Sequence, residues 1–136
     1  MKKIMIIDDT EDDRALLTRW LKKSFESLVS SGQDVIMPEI IEAGDAEHAW
    51  EILTREKIVP DFLVVDFEMP RMNGGQLIRK IQEELNLNSK IAMLSSHCLA
   101  QEKAEQLGCH FVSKADGHKK IAELAVREGL FSSDNA

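Results

Sequence analysis

Pro60-Asp-Phe-Leu-Val-Val-Asp66 is the stretch whose reading decides the fold. Four apolar residues, Phe62 to Val65, follow Pro60-Asp61 and stop on an acid. The run is continuous and does not alternate with polar residues, which marks a strand covered on both faces, as in a parallel sheet. Working outward, similar short runs occur at Lys3-Ile-Met-Ile-Ile7, at the weaker Glu39-Ile-Ile-Glu-Ala43, at Lys90-Ile-Ala-Met-Leu94 and at Cys109-His-Phe-Val-Ser113. Helical patterns lie between them. Leu16, Leu17, Trp20, Leu21, Phe25 and Leu28 recur at helical spacing after Thr10, which can cap that helix with Asp13 in the third helical position. Ala46, Ala49, Trp50 and Leu53 make a second apolar face, and Leu77, Ile78, Ile81 and Leu85 a third after Gly74-Gly75. Leu99 to Leu107 is a fourth helix, stopped by Gly108. Ile121, Leu124, Ala125 and Leu130 make the fifth. Trp20 and Trp50, on apolar helical faces, are expected in the core. Five strands alternating with five helices predict an α/β fold with a parallel sheet covered on both faces. Right-handed crossovers leave a few doubly wound forms, with the functional site at the carboxyl ends of the strands.

The 136 residues suit one compact domain, and 43 % of them are apolar, enough for a core without disulfides. Acids outnumber bases 24 to 17, for a net charge of -7, which argues against nucleic-acid binding. Cys98 and Cys109 lack Cys-x-x-Cys spacing and read as reduced thiols. His48, His97, His110 and His118 show no metal-ligand spacing. The run Ile4 to Ile7 meets Asp8 and Asp9 too soon for a signal peptide. No window approaches the ~18 apolar residues of a membrane span. A cytoplasmic protein that binds neither nucleic acid nor membrane is expected. Residues 1–131 are expected to form the domain, and residues 132–136 a short polar tail, frayed as termini commonly are. Nothing in the pattern assigns an oligomeric state.

Asp8 and Asp9 follow the first strand directly, and Asp66 ends the third, so the three carboxylates converge at one edge of a parallel sheet. Their mutual repulsion is relieved by a hard divalent cation, and Mg²⁺ favours carboxylates together with water and phosphate oxygens. Leu94-Ser-Ser96 and Ser113-Lys114 add a hydroxyl and an ammonium at the same edge. A carboxylate nucleophile, a Mg²⁺ site, a hydroxyl and a cation together suit phosphoryl transfer.

With these residues in place, the chain resembles the receiver domain of two-component response regulators, of the stand-alone, CheY-like single-domain type. The resemblance rests on Ile6-Ile-Asp-Asp9, Val65-Asp-Phe-Glu-Met-Pro-Arg-Met-Asn-Gly74, Leu94-Ser-Ser96 and Phe111-Val-Ser-Lys114, and it spans Lys3 to about Glu128. It implies a flavodoxin-like sheet of order 2-1-3-4-5, an order known for such domains rather than deduced from spacing. It implies Asp66 as phospho-acceptor, with Mg²⁺ on Asp8, Asp9, Asp66 and the backbone carbonyl of Glu68. Lys114 would pair with the phosphoryl oxygens, and Ser95 would be the switch hydroxyl that Phe111 follows. Glu68 and His97 would line the mouth of the site and tune acyl-phosphate lifetime. The implied donor is a histidine kinase or histidine phosphotransfer protein. With no output domain expected to follow, the implied output is a downstream protein target docked on the face made by helix four, strand five and helix five, or onward relay of the phosphoryl group.

The chain departs from the family pattern in three places. Ala115 follows Lys114 where the family has proline in a cis peptide, and a cis bond before a non-proline residue costs ~2.5–4 kcal/mol. A trans bond or a re-routed loop is therefore expected. Glu68 is a fourth carboxylate, expected to pair with Lys114 or Arg71 before phosphorylation. The stretch from Asp9 to Asp66 is long, with its surplus at Ser24 to Pro38, around the loop-like Ser30-Ser-Gly-Gln-Asp34. That surplus would extend the first helix or form a lobe, as tolerated loop length or as a docking element. Two other functions fit parts of the pattern: a Mg²⁺-dependent aspartyl-phosphate phosphatase, with Glu68 as its acid, and a phosphorylation-independent adaptor.

Overall fold

A computed structural model describes residues 2–132. The elements alternate as β1 (Lys3–Ile7), α1 (Glu11–Ser30), β2 (Glu39–Ala43), α2 (Ala46–Thr54), β3 (Phe62–Asp66), α3 (Gly74–Glu84), β4 (Lys90–Ser95), α4 (Leu99–Leu107), β5 (His110–Ser113) and α5 (Gly117–Arg127). All pairings are parallel, and the sheet order is β2-β1-β3-β4-β5. This is the flavodoxin-like order that the resemblance implies.

Alternation along the strands splits the core in two. Met5, Ile7, Leu63, Val65 and Met93 face α2, α3 and α4. Ile4, Ile6, Phe62, Val64, Ala92, Leu94 and Val112 face α1 and α5. Each strand has apolar residues on both faces because helices cover both. β3 sits between β1 and β4, and all five of its residues are buried. Its neighbours fix its register, with Ile7 beside Val65 and Asp66 beside Leu94. Shifting it by one residue would turn every side chain to the wrong face.

Helix termini follow local chemistry. Asn73 caps α3 by accepting from the Gln76 N–H at 2.9 Å, and the Gln76 side chain returns the bond to the Asn73 N–H at 2.9 Å. Gly108 ends α4 in the left-handed conformation, at φ 70°, where a side chain would be strained. α5 stops at Arg127, so Leu130 lies beyond it and packs from the turn that follows.

Three expectations are corrected. Thr10 occupies the N-cap of α1 without using its side chain; its backbone N–H donates instead to Asp8 Oδ1 at 2.9 Å. Trp20 is 41 % exposed and Leu16 51 % exposed, because only Thr18, Leu21 and Phe25 of α1 are buried. Trp50 is half-buried at the rim of the α2 face, with the Lys80 ammonium 4.5 Å from its ring centroid. The surplus between Ser24 and Pro38 extends α1 to 20 residues and then makes a short return. There the Ile36 N–H donates to the Phe131 carbonyl at 2.7 Å. Cys98 and Cys109 are both free thiols. Among the described residues no helix is long and apolar enough to cross a membrane. The expected frayed tail lies, from residue 133 on, outside the described residues.

Phe131 seals the bottom of the α1–α5 face. It is 1 % exposed and meets Phe25 edge-on, with ring centroids 5.4 Å apart. Phe131→Ala is expected to cost about 3–5 kcal/mol through lost burial and the cavity left behind, read from the urea midpoint at unchanged m-value. A loss under about 1 kcal/mol, the cost of a trivial core change, would show that this seal contributes little.

Candidate functional site

The carboxyl edge of the sheet is held by backbone bonds that continue past the strands. The Asp8 N–H donates to the Ala43 carbonyl at 3.2 Å, Phe67 to Leu94 at 2.9 Å and Lys114 to Ser95 at 3.0 Å. Each functional side chain therefore leaves a fixed backbone. Gly74 tightens the loop after β3. Its N–H donates to the Phe67 carbonyl at 2.9 Å. A Cβ there would collide with the Asp66 carbonyl oxygen and lie 2.9 Å from Phe67 Cα, so only glycine fits.

The predicted acids converge. Asp8 and Asp66 are each 3 % exposed, and Asp9 lies at the surface. One carboxylate oxygen from each of Asp8, Asp9 and Asp66 lies within 4.8 Å of the others. Hard anionic oxygens at that spacing fit a divalent cation. Lys114 Nζ is 3.1 Å from Asp66 Oδ1, so its aim survives the exchange of proline for Ala115. No peptide bond among the described residues is cis, so the bond after Lys114 is trans as expected.

Glu68 enters the same cluster. Its N–H donates to Asp66 Oδ1 at 3.3 Å. Its Oε1 accepts the hydroxyl of the fully buried Ser95, and its Oε2 lies 3.5 Å from Lys114 Nζ. Of the two pairings expected for Glu68, the one with Lys114 forms, and among the described residues none forms with Arg71. His97 stands at the solvent side with Nε2 3.7 Å from Glu68 Oε1, and its backbone N–H donates to Ser95 Oγ at 3.0 Å. Phe111 stands apart from the carboxylates. It is half-buried on the α2–α4 face, in register with Met93.

Arg14 is a participant that the sequence reading passed over. Its Nη1 donates to the Asp8 carbonyl at 2.7 Å, and its Nε donates to Glu42 Oε1 at 3.0 Å. It clamps the acid loop to β2. Its only signal in the sequence is a lone base in the acidic first turn of α1.

Residues 4–125 match the family model of the response regulator receiver domain. The chain is 30 % identical over 138 residues to a protein-glutamate methylesterase/protein-glutamine glutaminase of Bacillus licheniformis, covering 96 % of this chain and 34 % of that protein. It is 29 % identical over 82 residues to a chemotaxis protein CheY homolog of Campylobacter jejuni, covering 60 % of this chain and 54 % of that protein. It thus spans a part of each relative. Among solved structures, the response regulator TrrA from Thermotoga maritima in complex with Mg²⁺-BeF has a TM-score of 0.68 at 23 % identity, covering 93 % of this chain and 98 % of that one. At that identity the likeness speaks for the fold.

Electrostatics set the character of the site. Burial pushes the Asp66 carboxyl up from its usual 3.8 to about 7; Lys114 opposes this and the charge of Asp8 adds to it. Burial also works against the charge on Lys114, but the hydrogen bond to Asp66 and the charges of Asp66, Glu68 and Asp8 outweigh it and raise the ammonium's pKa. For Glu68, burial opposes ionisation, yet hydrogen bonds from Ser95 and with Asp66, and the Lys114 charge, hold its carboxyl below the usual range.

An acid whose folded pKa is raised destabilises the fold once it ionises there. For Asp66 the penalty is absent below about 4 and grows as pH rises to about 7. With Mg²⁺ chelated, Asp66→Asn is therefore expected to melt higher than wild type by roughly 5 °C at pH 8, with the gap closing toward pH 4. Thermal unfolding across that range checks it. A gap that widens toward pH 4 would reverse the sign and refute the burial argument.

Proposed function

This chain belongs to the response regulator receiver domain family of two-component signalling, and on that premise we propose that Asp66 accepts a phosphoryl group from a phosphohistidine. The observation that carries this reading is the buried Asp66 carboxylate, with Lys114 Nζ at 3.1 Å and the Asp8 and Asp9 carboxylates converging beside it. In the proposed step an Asp66 oxygen attacks phosphorus, the P–N bond breaks, and the imidazole leaves and takes up a proton. The chain supplies alignment and charge neutralisation, which dominate phosphoryl transfer. Asp8, Asp9, Asp66 and the Glu68 carbonyl would hold Mg²⁺, which when bound offsets the negative charge of acceptor and phosphoryl oxygens. Lys114, held charged by its acidic neighbours, draws the phosphoryl oxygens from the β5 side.

Output follows from a change of local charge. An acyl phosphate carries about −1.5 to −2 charges where the free carboxylate carried at most one, and it brings three acceptor oxygens. Ser95 and Lys114 leave adjacent strands and are joined by the Lys114 N–H bond to the Ser95 carbonyl. A pull on either moves the loop after β4 and the start of α4, where Leu99 is exposed. Phe111, half-buried on the same side, would follow. The α4–β5–α5 face is thus the proposed surface for a downstream protein, and a histidine kinase or phosphotransfer protein is the proposed donor. Glu68 and His97, at the mouth, would tune how long the phosphoryl group lasts.

Intact-mass measurement with Mg²⁺ and acetyl phosphate tests the reading. Wild type is expected to gain one phosphoryl group, and Asp66→Asn none. Chelation of Mg²⁺ should lower the extent at least about tenfold, the scale of lost electrostatic stabilisation. An equal adduct on Asp66→Asn would remove Asp66 from the role.

A further inference from the structure

The two groups proposed to greet a phosphoryl group are already occupied. Ser95 donates its hydroxyl to Glu68 Oε1, and Lys114 faces Glu68 Oε2 at 3.5 Å. One carboxylate thus hydrogen-bonds one of the two partners that an acyl phosphate would need, and stands in ion-pair range of the other, whose nearer contact is Asp66 Oδ1 at 3.1 Å. Ser95 is fully buried and its oxygen also accepts the His97 N–H, so the hydroxyl is fixed as both donor and acceptor and cannot serve a second anion without releasing the first. Glu68 lies two residues from Asp66 in a loop locked by Gly74, so the competing anion is always at hand.

Resting on the receiver reading, we propose that Glu68 is an internal stand-in for the phosphoryl group: it holds Ser95 and Lys114 in the resting protein, and phosphorylation exchanges one anion for another. Glu68 is in this sense a positioning residue, acting through Ser95 and Lys114 and not on phosphorus. Two consequences follow. The Ser95 hydroxyl is committed to Glu68 before any phosphate arrives, so the pull on the loop after β4 begins only when that bond is exchanged. The incoming group gains only the difference between its own contacts and those Glu68 gives up, which lowers its affinity for the site.

Beryllofluoride with Mg²⁺ is the probe, because it occupies the acceptor without chemistry. The full chain is compared with Glu68→Gln and Glu68→Asp by following backbone amide signals during titration. Asp keeps the charge but is one methylene too short to reach the Ser95 hydroxyl from the same backbone. Both variants are expected to bind beryllofluoride on the order of tenfold tighter than wild type, the worth of one hydrogen bond to a charged group. Before beryllofluoride is added, the Ser95 and His97 amides should already be shifted in both. Glu68→Asp binding like wild type while Glu68→Gln binds tighter would reduce Glu68 to simple charge repulsion and overturn the exchange. Unchanged or weaker binding in both variants would overturn it as well, with the receiver reading intact. Failure of wild type and both variants to bind would bring down the receiver reading itself, and the exchange with it.

Discussion

Burying Asp66 beside Asp8 is the constraint on which the rest of the carboxyl edge depends. Two carboxylates, each 3 % exposed, stand at the ends of adjacent central strands. Left alone they would repel and lose hydration, and either cost exceeds what a marginally stable domain spares. The chain answers with Lys114 at 3.1 Å, with the Thr10 N–H on Asp8 and with the Glu68 N–H on Asp66. These partners come from different segments, so the site exists only when β1, β3 and β5 are all in register.

That dependence explains why the sheet is built as it is. β3 is covered on both faces and flanked on both edges, and it carries the acid. A strand with freedom to slip would carry Asp66 away from Lys114. Bonds that run past the strand ends, from Phe67 to Leu94 and from Lys114 to Ser95, fix the last residues before the loops begin. Rigidity is placed where the charges are, and stability is spent there on a repulsive cluster, a common trade at functional sites.

Much of this was legible in the sequence. Continuous apolar runs marked the strands, and the two that end in acids marked the edge where chemistry gathers; five strands and five helices form in the expected order, with Leu85 and Leu130 lying just beyond their helices and Cys109 just before β5. The convergence of Asp8, Asp9 and Asp66 followed from parallel strands alone. Illegible were the features set by tertiary packing. Trp20 lies on an apolar stripe, yet it is 41 % exposed and stacks on His118 with ring centroids 5.5 Å apart. Periodicity does not say how much of a 20-residue helix its neighbour will cover. Thr10 has the right residue type for a cap, but a buried carboxylate two residues back took its N–H instead. Arg14 clamps the Asp8 backbone through a long side chain, and such reach leaves no periodic trace.

The pairing of Glu68 shows most sharply what sequence spacing omits. Its two-residue offset from Asp66 puts a fourth carboxylate at the mouth, but spacing does not say which cation or hydroxyl it will take. In the fold it hydrogen-bonds Ser95 and stands beside Lys114, and its ionised state is favoured by the same two partners that the proposed acyl phosphate would use. A ligand biases a two-state element only by its differential interaction with the two states. Where a resident carboxylate already takes the Ser95 hydroxyl and adds its charge beside Lys114, one more negative charge and a third oxygen are, on the proposed reading, what remain to drive the change. On the proposed reading, the output of this domain is therefore set as much by the anion it displaces as by the anion it accepts.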